Sequence, residues 1–147
     1  MKEQASVKIE TISRFDGQYS CLSNFYPSPI QIEERLYATV EHAFQAMKTL
    51  DENDKDSICA AATPGIAKRM GRKVKLRSDW EDIKLEVMKN LLFSKFGDPV
   101  LLEKLKLTGN ANLIEGNTWG DRFWGVCDGV GENHLGKLLM QIRKSFL

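Results

Sequence analysis

Apolar residues recur at helical spacing directly after Thr39, a residue type that favours the N-cap of a helix. The stripe occupies positions i, i+3, i+4 and i+7 and consists of Val40, Ala43, Phe44 and Met47. This spacing predicts a helix that packs one apolar face against a core. Glu41, Gln45 and Lys48 fall on a neighbouring face of the same helix, so these polar groups are predicted to lie side by side.

Further helices are predicted mainly from the residues at their ends. Residues 63–71 open with Thr-Pro, an N-cap followed by proline, and close with Gly. Residues 78–96 open with Ser-Asp-Trp-Glu, which matches a capping box and predicts a side-chain cap from the serine. Residues 98–109 open with Asp-Pro and close with Gly. A last amphipathic helix behind Asn133 is marked by its apolar positions, which are Leu135, Leu138, Leu139, Ile142 and Phe146.

Strands are predicted to be few and short. Residues 7–13 alternate imperfectly between apolar and polar, as a half-buried strand does, and residues 30–37 suit a short strand or hairpin. A further short strand is predicted at 112–115. Residues 17–29 are predicted to form a loop without regular helix, and residues 117–133 a glycine-rich loop. Because helices dominate, the predicted fold class is α+β, with a compact and mainly helical body.

Length and composition fit one soluble domain. A chain of 147 residues suits a single core spanning 1–147, and 42% hydrophobic with 28% charged residues is ordinary for a globular protein. The formal net charge of +1 gives no strong overall field for nucleic acid or membrane. No apolar run approaches the roughly 20 residues that a membrane span needs, and no secretory apolar core follows Met1. We therefore expect no membrane contact and a cytoplasmic location.

The sequence offers no recognisable metal or cofactor site. Cys21, Cys59 and Cys127 are far apart, which is typical of buried free thiols, and His42 and His134 complete no zinc-spaced cluster. No glycine-rich dinucleotide motif, P-loop or nucleophile elbow is present. We expect the chemistry to need neither a metal nor a cofactor.

Glu41 lies in the first turn of its predicted helix, where the helix dipole favours an ionised carboxylate. Beside a cleft, such a carboxylate stabilises a developing cation or orients a water molecule. The alternative is an ordinary solvent-exposed glutamate.

The predicted glycine-rich loop concentrates aromatic and acidic side chains. Residues 117–125 read Asn-Thr-Trp-Gly-Asp-Arg-Phe-Trp-Gly, so Asp121 is flanked by Trp119 and Trp124. Tryptophan offers a flat face for a base or sugar, and the acid supplies charge. The alternative is a structural loop in which Asp121 pairs with Arg122 or caps a turn.

Two further features have both a structural and a functional interpretation. Asn133 suits an N-cap, although amides at that helix end could also contact a phosphate or ribose. The stretch 68–77 carries six basic residues, namely Lys68, Arg69, Arg72, Lys73, Lys75 and Arg77. It is either a solvated face or a place for a transient nucleic-acid contact.

Four blocks in the chain resemble the signature blocks of the NADAR (YbiA-like) family of N-glycosidases. They are residues 22–29, 37–48, 121–125 and 131–140, in family order. Trp80 and the pair Lys95-Phe96 also fall where the family has them, whereas Cys21 stands where an aromatic residue is more usual.

The resemblance implies hydrolysis of an N-glycosidic bond and implies the site. By position, the essential residues of the family match Glu41, Trp80 and Asp121. The implied substrate-binding residues are Asn24, Phe25, Tyr37, Lys48, Trp119, Trp124, Gly125, Asn133, Leu135 and Gly136. Glu41 would orient water or stabilise an oxocarbenium-like cation, and Asp121 would hold substrate or share the acid–base work. Trp80 and Trp124 would stack on the base or enclose the sugar.

Characterised branches of the family act on ribosylamino-pyrimidine intermediates of riboflavin biosynthesis or on ADP-ribose attached to guanine bases. Because the basic stretch 68–77 runs up to Trp80, we expect it to border the site and to favour ADP-ribose on guanine. The alternatives are the riboflavin intermediates and a non-catalytic binder of ADP-ribose or a nucleotide. Glu41 and Asp121 argue against a pure binder, since anionic phosphates gain nothing from two acids.

Overall fold

The computed structural model describes residues 10–146, which form a 3₁₀ helix at Gly17–Leu22, six α-helices and six short strands. The α-helices are Val40–Ala46 (α1), Glu52–Cys59 (α2), Pro64–Gly71 (α3), Trp80–Lys95 (α4), Pro99–Lys106 (α5) and His134–Ser145 (α6). The strands are Thr11–Ile12 (β1), Ile30–Ile32 (β2), Arg35–Tyr37 (β3), Asn112–Leu113 (β4), Gly116–Asn117 (β5) and Val126–Cys127 (β6). The predicted mainly helical α+β fold is therefore confirmed.

Three helices begin where their capping residues predicted. The hydroxyl oxygen of Thr39 accepts a hydrogen bond from the backbone N–H of His42 at 3.1 Å, which starts α1. Thr63 starts α3 in the same way, and the carboxylate of Asp98 accepts from the N–H of Val100 at 2.8 Å to start α5.

The predicted capping box at residues 78–81 is wrong. Helix α4 begins behind Asp79, which makes no side-chain cap, because its carboxylate pairs with the guanidinium of Arg77 at 2.6 Å. Two helices were not predicted. The 3₁₀ helix lies within the expected loop 17–29, and α2 is too polar to show an apolar stripe.

The strands form three separate two-stranded sheets and no larger sheet among the described residues. The predicted hairpin is confirmed, with β2 antiparallel to β3, while β1 pairs with β4 and β5 with β6, both in parallel. Of the strand predicted at 7–13, Thr11–Ile12 is confirmed, and residues 7–9 lie outside the described part of the chain. Strand β6 interrupts the loop predicted at 117–133.

Helix α1 lies at the centre of the molecule and contacts α2, α3 and α4. All seven of its residues are buried, including Glu41, His42 and Gln45. The ring of His42 is accommodated by contacts with the hydroxyl of Thr39 at 2.8 Å and the carbonyl of Ala61 at 3.0 Å. The polar face of α1 is thus turned toward the interior, where polar side chains need a partner or a cavity.

Candidate active site

A cavity of about 310 Å³ lies between α1, α3 and residues 117–125, which we call the Trp-Gly-Asp loop after Trp119, Gly120 and Asp121. The chain before and after the 3₁₀ helix closes it through Phe15 and Phe25. Eight of the predicted site residues line this cavity, namely Glu41, Asp121, Asn24, Phe25, Lys48, Trp119, Trp124 and Leu135. The blocks of sequence that carry the family resemblance therefore converge on one place.

Trp80 does not line the cavity, so the expected stacking of Trp80 on a base is corrected. Its side chain is buried, with the ring centroid 5.0 Å from that of Phe44. Phe44 does line the cavity and meets the ring of Trp124 edge-on at 5.3 Å. Trp80 thus supports the aromatic wall from behind.

Tyr37, Asn133, Gly136 and Gly125 also lie outside the cavity lining. Tyr37 is buried in the β2–β3 hairpin, and Gly136 packs against the backbone carbonyl of Leu113. Gly125 packs against the side chain of Glu115, which does line the cavity.

Asn133 lies at the predicted N-cap position of α6, but the side-chain cap that this position implied is absent. Asn133 has a left-handed backbone with φ of 55°, and its side chain makes no cap bond to helix α6. Instead its amide group donates to the carbonyl of Leu113 at 2.9 Å and accepts from the N–H of Glu115 at 2.9 Å. It fixes the chain that leads into the Trp-Gly-Asp loop.

Glu41 is buried at the cavity with only 7% of its surface exposed, so the solvent-exposed alternative is excluded. One carboxylate oxygen accepts a hydrogen bond from the side-chain amide of Gln45 at 2.7 Å. Burial raises the pKa of Glu41, against the lowering effects of Gln45, Lys68 and Lys48. Although the first turn of a helix favours an ionised carboxylate, desolvation is the largest effect on this pKa.

Asp121 caps a turn, which the structural interpretation of the loop predicted, and it also lines the cavity. Its Oδ1 accepts hydrogen bonds from the backbone N–H groups of Phe123 at 3.2 Å and Trp124 at 2.9 Å. The side chain of Asn117 bonds to both the N–H and the carbonyl of Asp121.

Sequence reasoning missed two further acids at the cavity, which are Asp16, paired with Arg14 at 3.4 Å, and Glu115. Oε2 of Glu115 accepts a hydrogen bond from the side-chain amide of Asn117 at 2.9 Å. Burial raises the pKa of Glu115 to about 7, and the neighbouring charge of Asp121 adds to this increase. The signal in the sequence was an acid directly between a short apolar strand and the Trp-Gly-Asp loop.

Only part of the basic stretch 68–77 reaches the cavity. Lys68 and Arg72 line it, together with Lys48 and Arg14, whereas the other four basic residues of the stretch do not. The ammonium of Lys68 lies 5.1 Å from the ring centroid of Trp119, which is 57% exposed. Four basic side chains therefore accompany four acids within one site, and the positive charge suits a substrate carrying phosphate.

A buried amide lies at residue 24, beside the cavity, and a buried lysine contacts residue 23. Asn24 is buried, with 8% of its surface exposed. Its Oδ1 has no hydrogen-bond partner among the described residues. Next to it, the buried ammonium of Lys95 donates to the carbonyl of Ser23 at 2.8 Å. Burial lowers the pKa of Lys95 to about 7.

Among residues 10–146, no three His, Cys, Asp or Glu side chains are grouped so that they could hold a metal ion. The three thiols are free: Cys21 and Cys127 are buried and Cys59 is half-buried. None of the helices in the described part of the chain combines the length and apolar content needed to cross a bilayer.

Comparison with known proteins places these features in a family context. Residues 12–147 match the NADAR domain. The chain is 41% identical over 142 residues to the N-glycosidase YbiA of Escherichia coli, covering 92% of this chain and 88% of that protein. The NMR structure of E. coli YbiA superposes with a TM-score of 0.82 at 37% identity, covering 95% of this chain and 87% of the other.

Another relative is much longer than this chain, and the match covers only part of it. The riboflavin biosynthesis protein VVA0006 of Vibrio vulnificus is 35% identical over 133 residues. That match covers 88% of this chain but 36% of the relative, so the similarity is to one part of a larger protein.

Proposed function

The chain belongs to the NADAR domain family and is an N-glycosidase, and we propose that its substrate is a base joined to a phosphorylated ribose. The observation that carries this proposal is the buried carboxylate of Glu41, held by Gln45 at a cavity that also contains cationic and aromatic side chains. Each of these groups matches one part of such a substrate.

Cleavage of a ribosyl C–N bond passes through a state in which positive charge develops on the sugar ring. A carboxylate that is withdrawn from water stabilises this charge more strongly than an exposed one. Glu41 meets that condition, and its raised pKa also makes its ionised form a better base toward an attacking water.

The remaining lining groups account for binding. The unpartnered Oδ1 of Asn24 offers an acceptor for a ribose hydroxyl, since a buried acceptor gains most from a donor on the ligand. Lys48, Lys68 and Arg72 supply positive charge for phosphate, and the rings of Trp119 and Trp124 offer faces for the base.

Two observations favour a small substrate, a ribosylamino-pyrimidine phosphate. The cavity of about 310 Å³ lies at the small end of the range for ligand sites. A relative that contains this domain carries the name of a riboflavin biosynthesis protein. Since four of the six basic residues in the stretch 68–77 lie away from the cavity, the argument for a larger polyanion is weaker than the sequence suggested.

The second candidate is ADP-ribose attached to a guanine base of nucleic acid. Its supporting observation is the cavity rim, where Lys68 lies over the largely exposed ring of Trp119 and Arg72 is exposed. An exposed tryptophan beside cations can stack on a base and contact the backbone of a strand.

The deciding experiment compares kcat/KM for a ribosylamino-pyrimidine phosphate and an ADP-ribosylated oligonucleotide, with released base as the readout. The protein is assayed at two salt concentrations as wild type, Arg72→Ala and Lys75→Ala. Lys75 is a matched control, because it belongs to the same basic stretch, is exposed and does not line the cavity. Preference for the pyrimidine, with a loss in Arg72→Ala alone, supports the small substrate.

Preference for the oligonucleotide, with a steep loss of rate at high salt in wild type, supports the second candidate instead. A protein that binds both compounds and releases no base from either is a non-catalytic binder, and the proposal then fails.

A further inference from the structure

We propose that Glu115 is the general acid of this site, donating a proton to the leaving base nitrogen. This inference rests on the proposed N-glycosidase reaction. It assigns a role to Glu115, an acid that the family resemblance did not identify, in addition to Glu41 and Asp121. Glu115 enters the cavity from the connection between β4 and β5, whereas Glu41 enters from α1. The two acids therefore belong to different walls of the cavity.

The surroundings of Glu115 distinguish its two carboxyl oxygens. Oε2 accepts from the side-chain amide of Asn117 at 2.9 Å and packs against Gly125, where an added Cβ would overlap it. Within residues 10–146, Oε1 makes no hydrogen bond. The oxygen occupied by Asn117 is an acceptor, so the proton of the neutral carboxyl belongs on Oε1.

Asn117 also ties the position of Glu115 to that of Asp121. Its side-chain nitrogen donates to the backbone carbonyl of Asp121 at 2.8 Å, and its oxygen accepts from the N–H of Asp121 at 3.0 Å. Asp121 already uses Oδ1 to cap the turn that carries Trp124. Asp121 is thus committed to shaping the loop, which leaves Glu115 as the acid available for proton transfer on this wall.

The protonation state fits the role at neutral pH. Burial raises the pKa of Glu115 to about 7. The charges of Asp121 and Glu41 add to this increase, while the hydrogen bond from Asn117 and the charge of Lys68 oppose it. A general acid works best when its pKa lies near the working pH, since it is then often protonated and still able to give up its proton.

The step balances without any further reactant. As the ribosyl C–N bond breaks, its electron pair goes to the nitrogen, which takes the proton from Oε1 of Glu115. Water adds to the ribosyl carbon and gives a proton to the carboxylate of Glu41. Exchange with solvent returns a proton to Glu115 and removes one from Glu41, and the products are the free base and the ribose.

The test is the pH dependence of kcat/KM in wild type, Glu115→Gln and Glu103→Gln. Glu103 is exposed on α5 and does not line the cavity, so its variant controls for loss of one carboxyl group. Wild type and Glu103→Gln should lose activity as pH rises through about 7, the pKa of Glu115. Glu115→Gln should be slower by about 10²–10⁴-fold at pH 6 and should lack that decline.

Two results overturn the assignment. In the first, kcat/KM of Glu115→Gln lies within threefold of the wild-type value at pH 6. In the second, Glu115→Gln is slower, but its kcat/KM still declines as pH rises through about 7. If wild type cleaves neither substrate, the proposed function fails, which is a different outcome. If Glu115→Gln does not fold, ¹³C NMR titration of the wild-type carboxyl decides. A midpoint near 7 supports the role, and one at the ordinary 4.5 overturns it.

Discussion

Substitution of Gly71 should displace the carboxylate of Glu41 while leaving residue 41 itself unchanged. This glycine is the last residue of α3, and a Cβ at this position would overlap Oε1 of Gln45 and lie 2.8 Å from its Cδ. The same Gln45 side chain donates the 2.7 Å hydrogen bond to the carboxylate of Glu41. Gly71→Ala should therefore push Gln45 away from Glu41 or into it.

The size of the effect follows from two opposing contributions. Alanine gains about 0.5–1 kcal/mol over glycine in a helix, while an overpacked contact costs about 1–3 kcal/mol. We expect a net loss of up to about 2 kcal/mol in the free energy of unfolding. The loss of activity should be larger, because misplacing a catalytic group by about 1 Å can cost on the order of 10²-fold in rate.

The assay measures kcat, KM and the melting temperature of Gly71→Ala and of Gly65→Ala. Gly65 lies in the same helix, where an added Cβ meets only Oγ1 of Thr63 at 3.8 Å, so this control should keep wild-type kinetics. Gly71→Ala combined with Gln45→Ala should regain stability without regaining activity, because the clash is removed but Glu41 is still unsupported. A Gly71→Ala protein with a higher melting temperature and kcat within threefold of wild type would refute the reasoning.

Further predictions address the other buried groups. Glu41→Gln should lower kcat by at least about 10³-fold, consistent with loss of a catalytic carboxylate. Because burial raises its pKa, Glu41 costs stability as pH rises, so the melting temperature of Glu41→Gln relative to wild type should be higher at pH 8 than at pH 4. Trp80→Ala should lower the free energy of unfolding by about 3–5 kcal/mol and Trp80→Phe by less, in urea titrations, because Trp80 is core behind Phe44. If Trp80→Ala kept the wild-type free energy of unfolding and lost only substrate binding, this prediction would be contradicted. Lys95 has its pKa lowered to about 7, so unfolding free energy should rise with pH from 7 toward the ordinary 10.5, and Lys95→Met should remove that slope. Turnover should be unchanged in EDTA, and loss of rate restored by a divalent ion would contradict that.

The sequence predicts the apolar side of helix α1 better than its polar side. The stripe behind Thr39 identifies the helix and its start, and both are confirmed. Periodicity shows which residues share a face, but it does not show whether the polar face meets solvent or a cavity. The burial of Glu41 and Gln45 depends on α3 and on the Trp-Gly-Asp loop, which come much later in the chain.

Local capping patterns failed at two helices, for different reasons. Helix α4 begins behind Asp79 rather than Ser78, and the carboxylate of Asp79 pairs with the nearby Arg77. The side chain of Asn133 is engaged by the distant backbone at Leu113 and Glu115, so it does not cap α6. Capping signatures describe what a side chain can do for its own helix. They carry no information about distant backbone groups that need the same donor or acceptor.

The two catalytic acids we assign are held by the same kind of arrangement. Gln45 donates to Glu41 and packs against Gly71, while Asn117 donates to Glu115, which itself packs against Gly125. In each case a side-chain amide fixes one carboxyl oxygen, and a glycine leaves the space that this close approach requires. Amides position an acid without adding a charge that would lower its pKa as strongly as a lysine or arginine does. Both acids can therefore be held rigidly, and Glu115, with its pKa raised to about 7, can still exchange a proton near neutral pH, as a general acid in hydrolysis of a ribosyl C–N bond must.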